Sequence, residues 1–263
     1  MIRVENVTHH YGIRPVLKNV SLEIKTGEVV VVVGPNGMGK TTFLGVMAGV
    51  LWPCTGYVEF DGVRRRDSVD GERDLRKRIV YLHDQVWLPK WRTGREYILA
   101  VGRLYGLEDL WLFDHADRLL RLFDLAEQGD QAIGSYSAGQ LKKIALASAL
   151  ITEAPYLLLD EPFSGGLDPS GILALKRVLQ HLAQRDDVTI VMTTPVPELV
   201  EEVADRIAVI RDGELAAFDT VDGLRQLTGS TGPLADVLQR LLNPETLDNI
   251  EHYFARDAKE GAT

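Results

Sequence analysis

The sequence predicts an α/β protein with a mainly parallel sheet, and three features support this prediction. Glu28–Val33 places five valines after one Glu, between two glycines, as in a strand buried on both faces. Tyr156–Leu159 is a second apolar strand, and it is followed by two acidic residues. Between these strands, residues 86–150 carry apolar residues at helical spacing, which predicts a helical subdomain inserted into the α/β core.

The remaining elements are assigned around this core. Alternating residues at Met1–Val7 and Val16–Ile24 predict an N-terminal antiparallel β subdomain. We expect one domain over residues 1–227, with its core at 1–85 and 151–227, and the helical subdomain at about 86–150. Residues 228–263 are expected to form a linker and a short helical tail, with the linker centred on Leu227–Pro233. The other predicted elements are strands at Tyr57–Phe60, Ile79–Leu82, Val188–Met192 and Ile207–Ile210, and helices at Thr41–Val50, Ser170–Ala183 and Leu234–Leu242.

Composition and charge narrow the class of protein. The net charge is −9, and the basic cluster that starts at Arg64–Arg66 is interleaved with acidic residues, which indicates a solvated loop or edge and no nucleic-acid partner. Cys54 is the only cysteine, so we expect a reducing compartment. No apolar stretch reaches the ~20 residues of a membrane helix, and Met1–Tyr11 is unlike a signal peptide. We therefore expect a cytoplasmic protein, with any membrane span supplied by another chain.

A phosphate-binding motif lies between the first predicted buried strand and its following helix. Gly34–Thr41 matches G-x-x-x-x-G-K-[ST], in which glycines let backbone N–H groups converge on phosphate oxygens at a helix N-terminus. Lys40 is expected to neutralise the β- and γ-phosphates, and Thr41 to help hold Mg²⁺. The motif predicts a P-loop NTPase core. Its predicted nucleotide-binding residues are Gly34, Pro35, Asn36, Gly37, Met38, Gly39, Lys40, Thr41 and Thr42.

Asp160 and Glu161 form the second predicted part of this site. They follow the strand Tyr156–Leu159, at the sheet edge where ligands of α/β proteins bind. Asp160 is expected to complete the Mg²⁺ shell, and Glu161 to act in catalysis by orienting or activating the attacking water. The chain has no Asn-Lys-x-Asp guanine-reading motif, which favours ATP over GTP.

The segment Tyr136-Ser-Ala-Gly-Gln140, followed by an apolar helical run, is similar to the L-S-G-G-Q signature of ATP-binding subunits of ABC transporters. The resemblance covers nearly all of residues 1–227. It implies that two such subunits, identical or different, close around two ATP molecules, and that a separate transmembrane permease is the partner. It also implies a peripheral location on the inner face of the cell membrane. The signature residues that would contact the ATP of the second subunit are Ser137, Ala138, Gly139 and Gln140.

Further positions carry the resemblance. Tyr11 is similar to the aromatic residue that stacks on adenine, and Asp168 to a residue of the loop that crosses the dimer interface. The stretch Val101-Gly-Arg-Leu-Tyr-Gly106 resembles the helical subdomain of exporter-type members.

The sequence departs from the family pattern at three places. Pro195 takes the position of a His that would donate to the γ-phosphate, and proline has neither an imidazole nor a backbone N–H. Asp84 takes the position of the Mg²⁺-binding Gln, with Gln85 next to it, and either side chain offers an oxygen ligand. The loop Glu161–Asp168 is one residue longer than usual, with an additional glycine.

These departures predict slow ATP turnover rather than none, because Lys40, Asp160 and Glu161 are present. One alternative is a hydrolysis-deficient regulatory subunit that uses ATP only to hold a dimer together. Another is a soluble ABC ATPase of DNA repair or translation. The sequence disfavours both of these soluble classes. It lacks the long heptad insert of the DNA-repair members and the second cassette of the translation members.

Overall fold

The structure, a computed structural model, describes residues 1–243 and contains two sheets. The smaller sheet is antiparallel and consists of β1 Ile2–His10, β2 Pro15–Ile24, β4 Thr55–Phe60 and β5 Val63–Arg64, in the order β2-β1-β4-β5. The larger sheet consists of β3 Val29–Val33, β6 Ile79–Leu82, β7 Tyr156–Leu159, β8 Thr189–Thr193, β9 Arg206–Arg211 and β10 Glu214–Asp219. Its order is β10-β9-β3-β8-β7-β6, and every pair is parallel except β9 with β10. The predicted α/β class is confirmed.

The helices are α1 Lys40–Met47, α2 Val69–Arg78, α3 Gly94–Leu104, α4 Asp109–Leu122, α5 Ala138–Leu150, α6 Pro169–Leu182, α7 Pro197–Val203, α8 Val221–Thr228 and α9 Leu234–Leu242, with a 3₁₀ turn at Ile133–Ser135. In the segment predicted to be helical, α3, α4 and α5 pack on one another. Among residues 1–243, no helix is both long and apolar enough to cross a bilayer.

Both faces of the larger sheet are covered, as the valine run predicts. Val30 and Val32 of β3 pack with α1 and the antiparallel sheet on one face. Val29, Val31 and Val33 join a second core, formed with α3 to α7 and α9, on the other face. Because side chains alternate along a strand, a strand that is apolar at every position needs cover on both sides. Polar chemistry is thereby confined to the ends of the strands.

The expectation of a solvated loop at Arg64–Arg66 is wrong for two of its three arginines. The Arg65 side chain is 6% exposed, and its Nε donates to the carbonyl of Met47 at 3.0 Å. Arg66 donates to the carbonyl of Gly49. The last carbonyls of a helix lack partners and attract cations, so these arginines cap the C-terminus of α1. The following basic residues lie on α2, a helix that the sequence did not predict.

The predicted tail helix is present as α9, and it packs on the core. Leu234 and Val237 are buried, and α9 contacts α7, α8 and β9. The start of the predicted linker belongs to α8, which ends at Thr228, and only a short segment joins α8 to α9. The rest of the predicted tail, from residue 244 onward, lies outside the described residues.

Candidate active site

The glycine-rich loop runs from the end of β3 to the start of α1. Gly39 precedes the helix with a left-handed φ of 99°. A Cβ at Gly34 would lie 2.3 Å from the carbonyl oxygen of Ile210, so that only glycine fits there. In the described structure no side chain caps α1, and its first N–H groups can therefore bind an anion. Asn36, Gly37 and Thr41 are exposed on this loop.

Lys40, the first residue of α1, folds its side chain back over the loop. Its Nζ donates to the carbonyl oxygens of Gly34 at 2.8 Å and Pro35 at 3.2 Å. Burial lowers the pKa of Lys40, and the carboxylates of Glu161 and Asp160 oppose this shift. The ammonium group thus lies between the loop carbonyls and the acidic pair, where it can balance the charge of terminal phosphates.

Asp160 and Glu161 are held at the end of β7 by a residue that the sequence did not single out. Thr193, the last residue of β8, donates from Oγ1 to Asp160 Oδ1 and accepts from the backbone N–H of Glu161, each at 2.8 Å. Glu161 has a left-handed φ of 44°, a conformation that costs free energy in a residue with a side chain. The sequence contained one sign of this role: Thr193 is a hydroxyl residue at the end of an apolar strand, where its side chain can reach the neighbouring strand end.

The acidic pair and the phosphate loop meet at the same edge of the sheet. Only β8 separates β7 from β3, and Val32 of β3 pairs with Thr193. Two strand spacings place the ends of β3 and β7 about 10 Å apart. A triphosphate bound at the loop therefore extends toward Asp160 and Glu161. The strand order therefore brings the two motifs together, as the sequence predicts.

Asp160 Oδ2 is buried and has no hydrogen-bond partner among the described residues. Thr193 donates to the other oxygen, Oδ1, and so holds the carboxylate in place while Oδ2 stays without a donor. A buried carboxylate oxygen requires a donor or a cation. Its chemistry fits a hard divalent cation such as Mg²⁺, which prefers oxygen ligands.

Tyr11 lies beside the phosphate loop with its ring largely in solvent. The side chain is 67% exposed overall, and its hydroxyl lies 3.2 Å from Thr42 Oγ1 on α1. His9 packs against the ring edge, with centroids 4.9 Å apart. An anchored aromatic ring with an open face is suited to stacking on a planar base.

Asp84 and Gln85 diverge after β6. Ser164 Oγ lies 2.8 Å from both Asp84 Oδ1 and the carbonyl oxygen of Glu161, so Asp84 faces the acidic loop. Gln85 lines a cavity of about 370 Å³ beside α3 and α5, together with Trp87. Of the two alternatives left open by the sequence, only Asp84 contacts the loop that carries Glu161.

The signature segment begins α5. Ser137 is the N-cap residue, and it forms a capping box with Gln140, in which Ser137 N donates to Gln140 Oε1 at 2.8 Å. A Cβ at Gly139 would lie 2.5 Å from the carbonyl of Gly166, so the loop after Glu161 packs directly on the signature. Ser137, Gly139, Gln140, Lys143 and Asp168 line a cavity of about 260 Å³.

Asp168 is the N-cap residue of α6 and lies on this same cavity. Its side chain accepts from Gly171 N at 2.8 Å and from Lys143 Nζ at 2.9 Å. These bonds lower the pKa of Asp168, and the hydrogen bond from Lys143 contributes most. The longer loop therefore still brings Asp168 to the signature.

Pro195 is exposed after the buried Thr194, which accepts from Val196 N at 3.3 Å. Both residues line a cavity of about 400 Å³ with Pro35 and Asn36 of the phosphate loop. Lys40, Asp160 and Glu161 do not line this cavity, which continues along α7 and α9. The signature cavity, for its part, includes no residue of the phosphate loop and neither carboxylate of the acidic pair.

Comparison with known proteins agrees with this geometry. Residues 17–164 match the ABC transporter family. The daunorubicin resistance ATP-binding protein DrrA3 of Streptomyces coeruleorubidus is 36% identical over 239 residues, which are 91% of this chain and 73% of DrrA3.

Two solved structures have the same fold. An ATP-binding subunit of an ABC transporter superposes with a TM-score of 0.85 at 26% identity, covering 92% of this chain and 99% of that one. A dimeric ATP-binding cassette in a post-hydrolysis state with ADP and Pi has a TM-score of 0.75 at 27% identity, covering 84% and 98%. The phosphate loop, the acidic strand end and these relatives lead to one conclusion: the chain belongs to the ABC transporter family and is an ATP-binding subunit that hydrolyses ATP.

Proposed function

We propose that ATP binding closes two of these subunits around two nucleotides, that hydrolysis reopens them, and that this motion drives a separate membrane permease. The observation that carries the proposal is that the signature residues Ser137, Gly139 and Gln140 line a cavity to which the phosphate loop of the same chain contributes no residue. The phosphate loop and the signature are each a partial anion site at a helix N-terminus, at the start of α1 and of α5. A second subunit that presents its signature to this loop would complete both sites.

Within each site, the loop Gly34–Thr42 binds the phosphates and Tyr11 stacks on adenine. Lys40 exchanges its bonds to the loop carbonyls for the β- and γ-phosphates. The partner's signature, Ser137 to Gln140 of the second copy, closes over the γ-phosphate with its helix N-terminus. Glu161 accepts a proton from the attacking water or orients it, which contributes about 10²–10⁴ in rate.

Mg²⁺ is the cation that these residues fit. The free, buried Oδ2 of Asp160 and the exposed hydroxyl of Thr41 are the protein ligands that support its assignment. When bound, Mg²⁺ neutralises negative charge on the β- and γ-phosphates. Asp84 is the third candidate ligand, because it faces the Glu161 loop, whereas Gln85 lines a different cavity.

Turnover is slow in this proposal because Pro195 offers no donor to the γ-phosphate. The neighbouring hydroxyl residue, Thr194, is buried. The loss of one preorganised donor typically costs about 10²–10³ in rate. Phosphate release at saturating ATP measures this rate, and a rate of an ordinary transport ATPase that is retained in Pro195→Ala would contradict slow turnover.

Complementation tests the shared sites. Lys40→Ala removes the phosphate-loop cation, and Ser137→Arg blocks the signature, so each variant alone should release little phosphate. A mixture forms heterodimers with one complete site, and should recover about a quarter of the parent rate if the subunits pair at random. Melting curves of each variant control for folding. A mixture as inactive as its components would contradict a homodimer with shared sites and favour pairing with a different subunit.

An aromatic surface next to β6 supports docking to a permease. Trp87 and Trp91 are 88% and 77% exposed, and Trp87 lines the cavity of about 370 Å³ between β6, α3 and α5. Exposed aromatic residues around a groove are typical of protein interfaces. The relative named for daunorubicin resistance is consistent with an exporter-like subunit. Trp87→Asp with Trp91→Asp should release the chain from the membrane fraction of its source cells, and unchanged fractionation would contradict docking at this surface.

A further inference from the structure

One buried lysine near the acidic loop has no role in the nucleotide site as described so far. Lys142, on α5, has a side chain that is 3% exposed, and its Nζ has no hydrogen-bond partner among the described residues. An ammonium group without partners is costly to bury, because it loses its hydration without compensation. A sequence that only needed to fill this space would be more stable with an apolar residue here.

The surroundings of Lys142 are acidic and belong to the catalytic side of the sheet. Its Nζ lies 3.9 Å from Asp84 Oδ1. Burial lowers the pKa of Lys142, and Asp84, Asp160 and Glu161 oppose the shift. Lys40 has a similar environment: burial lowers its pKa, and Glu161 and Asp160 oppose that shift. Lys40, however, already has a role, because it is assigned to bind the phosphates.

The longer loop passes close to the lysine stem. A Cβ placed on Gly165 would lie 3.5 Å from Lys142 Cδ, so the backbone of the loop borders the side chain there. The residue before it, Ser164, lies 2.8 Å from both Asp84 Oδ1 and the carbonyl of Glu161. Asp84 and the longer loop, two features that distinguish this chain from its family's pattern, therefore meet at Lys142.

We propose that Lys142 is a positioning residue for ATP hydrolysis: its ammonium group offsets the charge of Asp84 and keeps Asp84, Ser164 and the Glu161 loop together. Without this cation, the three carboxylates that follow the neighbouring strands β6 and β7 and the nucleotide phosphates repel one another. Asp84 would then move outward and release Ser164 from the Glu161 loop. Because Lys142 lies on the helix that the signature begins, it also joins the signature to the catalytic loop.

The test is a double-mutant comparison on the full chain, with Lys142→Met, Asp84→Asn and the combination. Methionine keeps the length of the lysine stem without the charge, and asparagine keeps an oxygen that accepts from Ser164. Lys142→Met should lower kcat about 10- to 100-fold, leave the KM for ATP nearly unchanged, and not lower the melting temperature, since a buried ammonium group without hydrogen-bond partners is replaced by an apolar group of similar length. In the Asp84→Asn background, Lys142→Met should lower kcat much less, because the carboxylate that the ammonium group offsets is no longer charged.

Lys176→Met is the matched control. Lys176 lies on α6, about 12 Å along that helix from Asp168, and forms an ion pair with Glu202 of α7. The Lys176→Met variant should retain the parent kcat. If Lys142→Met does not fold, Lys142→Gln serves in the same comparison.

Two outcomes would overturn the role of Lys142: parent turnover in Lys142→Met, or a Lys142→Met effect on kcat that is equally large in the parent and in the Asp84→Asn background. Since this role rests on the proposed function of Glu161, Glu161→Gln is measured in parallel. Turnover that survives Glu161→Gln would refute the proposed site itself. An inactive Glu161→Gln with a fully active Lys142→Met would refute only the role of Lys142.

Discussion

Replacing Thr193 with valine removes one hydroxyl from the centre of the acidic site and keeps the shape of a β-branched side chain. Thr193 Oγ1 donates to Asp160 Oδ1 and accepts from Glu161 N, each at 2.8 Å. After the change, both oxygens of the buried Asp160 lack a donor from the described residues. The backbone of Glu161, with its φ of 44°, also loses the bond that holds it.

The size of the effect follows from these two bonds. A hydrogen bond to a charged group contributes about 1.5–3 kcal/mol and a neutral one about 1 kcal/mol, so the free energy of unfolding should fall by about 3 kcal/mol. For a domain of this size, the melting temperature should then fall by about 6–12 °C. Since both carboxylates lose the group that orients them, kcat should fall about 10- to 100-fold.

Thr189→Val is the matched control, at the other end of the same strand. Thr189 is as buried as Thr193, and its Oγ1 accepts from Gly27 N at 3.1 Å, away from the acidic pair. It should lose about 1 kcal/mol of stability and keep the parent kcat. Phosphate release at saturating ATP and Mg²⁺, with thermal unfolding of the same samples, measures both quantities. Equal kcat values for the two valine variants would refute the role of Thr193.

Three further predictions concern the acidic pair, the switch position and a remote histidine. Glu161→Gln should lower phosphate release by about 10²–10⁴ while ATP affinity in filter binding is retained; a parallel loss of affinity would count against a catalytic role. Pro195→His should raise kcat, by up to about 10²–10³, whereas Pro195→Ala should not, and equal rates would show that the missing imidazole is not limiting. Burial lowers the pKa of His115 below its ordinary 6.5, with Glu153 opposing, so the unfolded chain binds a proton that the folded chain excludes. The stability that this neutral histidine contributes is complete above pH 6.5 and decreases as the pH falls below that value. The free energy of unfolding in urea should therefore decrease from about pH 7.5 to about pH 5.5 in the parent, and less in His115→Gln; parallel pH profiles would contradict this.

The sequence determined the parts of this protein whose chemistry is local. A phosphate loop needs glycines, a lysine and a threonine at fixed spacing between a strand and a helix, and all of these are contiguous in Gly34–Thr41. The acidic pair at the end of an apolar strand is equally contiguous. The valine run of β3 predicted a strand covered on both faces, and the structure has one. Each of these features depends on neighbours in the chain.

Tertiary structure decided the features that depend on residues far apart in sequence. Thr193 donates a hydrogen bond to Asp160, which lies 33 positions earlier in the sequence. Arg65 caps the C-terminus of α1 by donating to the carbonyl of Met47, 18 positions earlier. The choice between Asp84 and Gln85 depends on where Ser164 lies, 80 positions from Asp84. Spacing along the chain carries no information about such contacts, because they arise only when the sheet places separate strand ends side by side. The burial of Lys142 has the same origin: a lysine on a helix is ordinarily solvated, but the fold places this one beside Asp84 and the loop at Gly165, both distant in sequence.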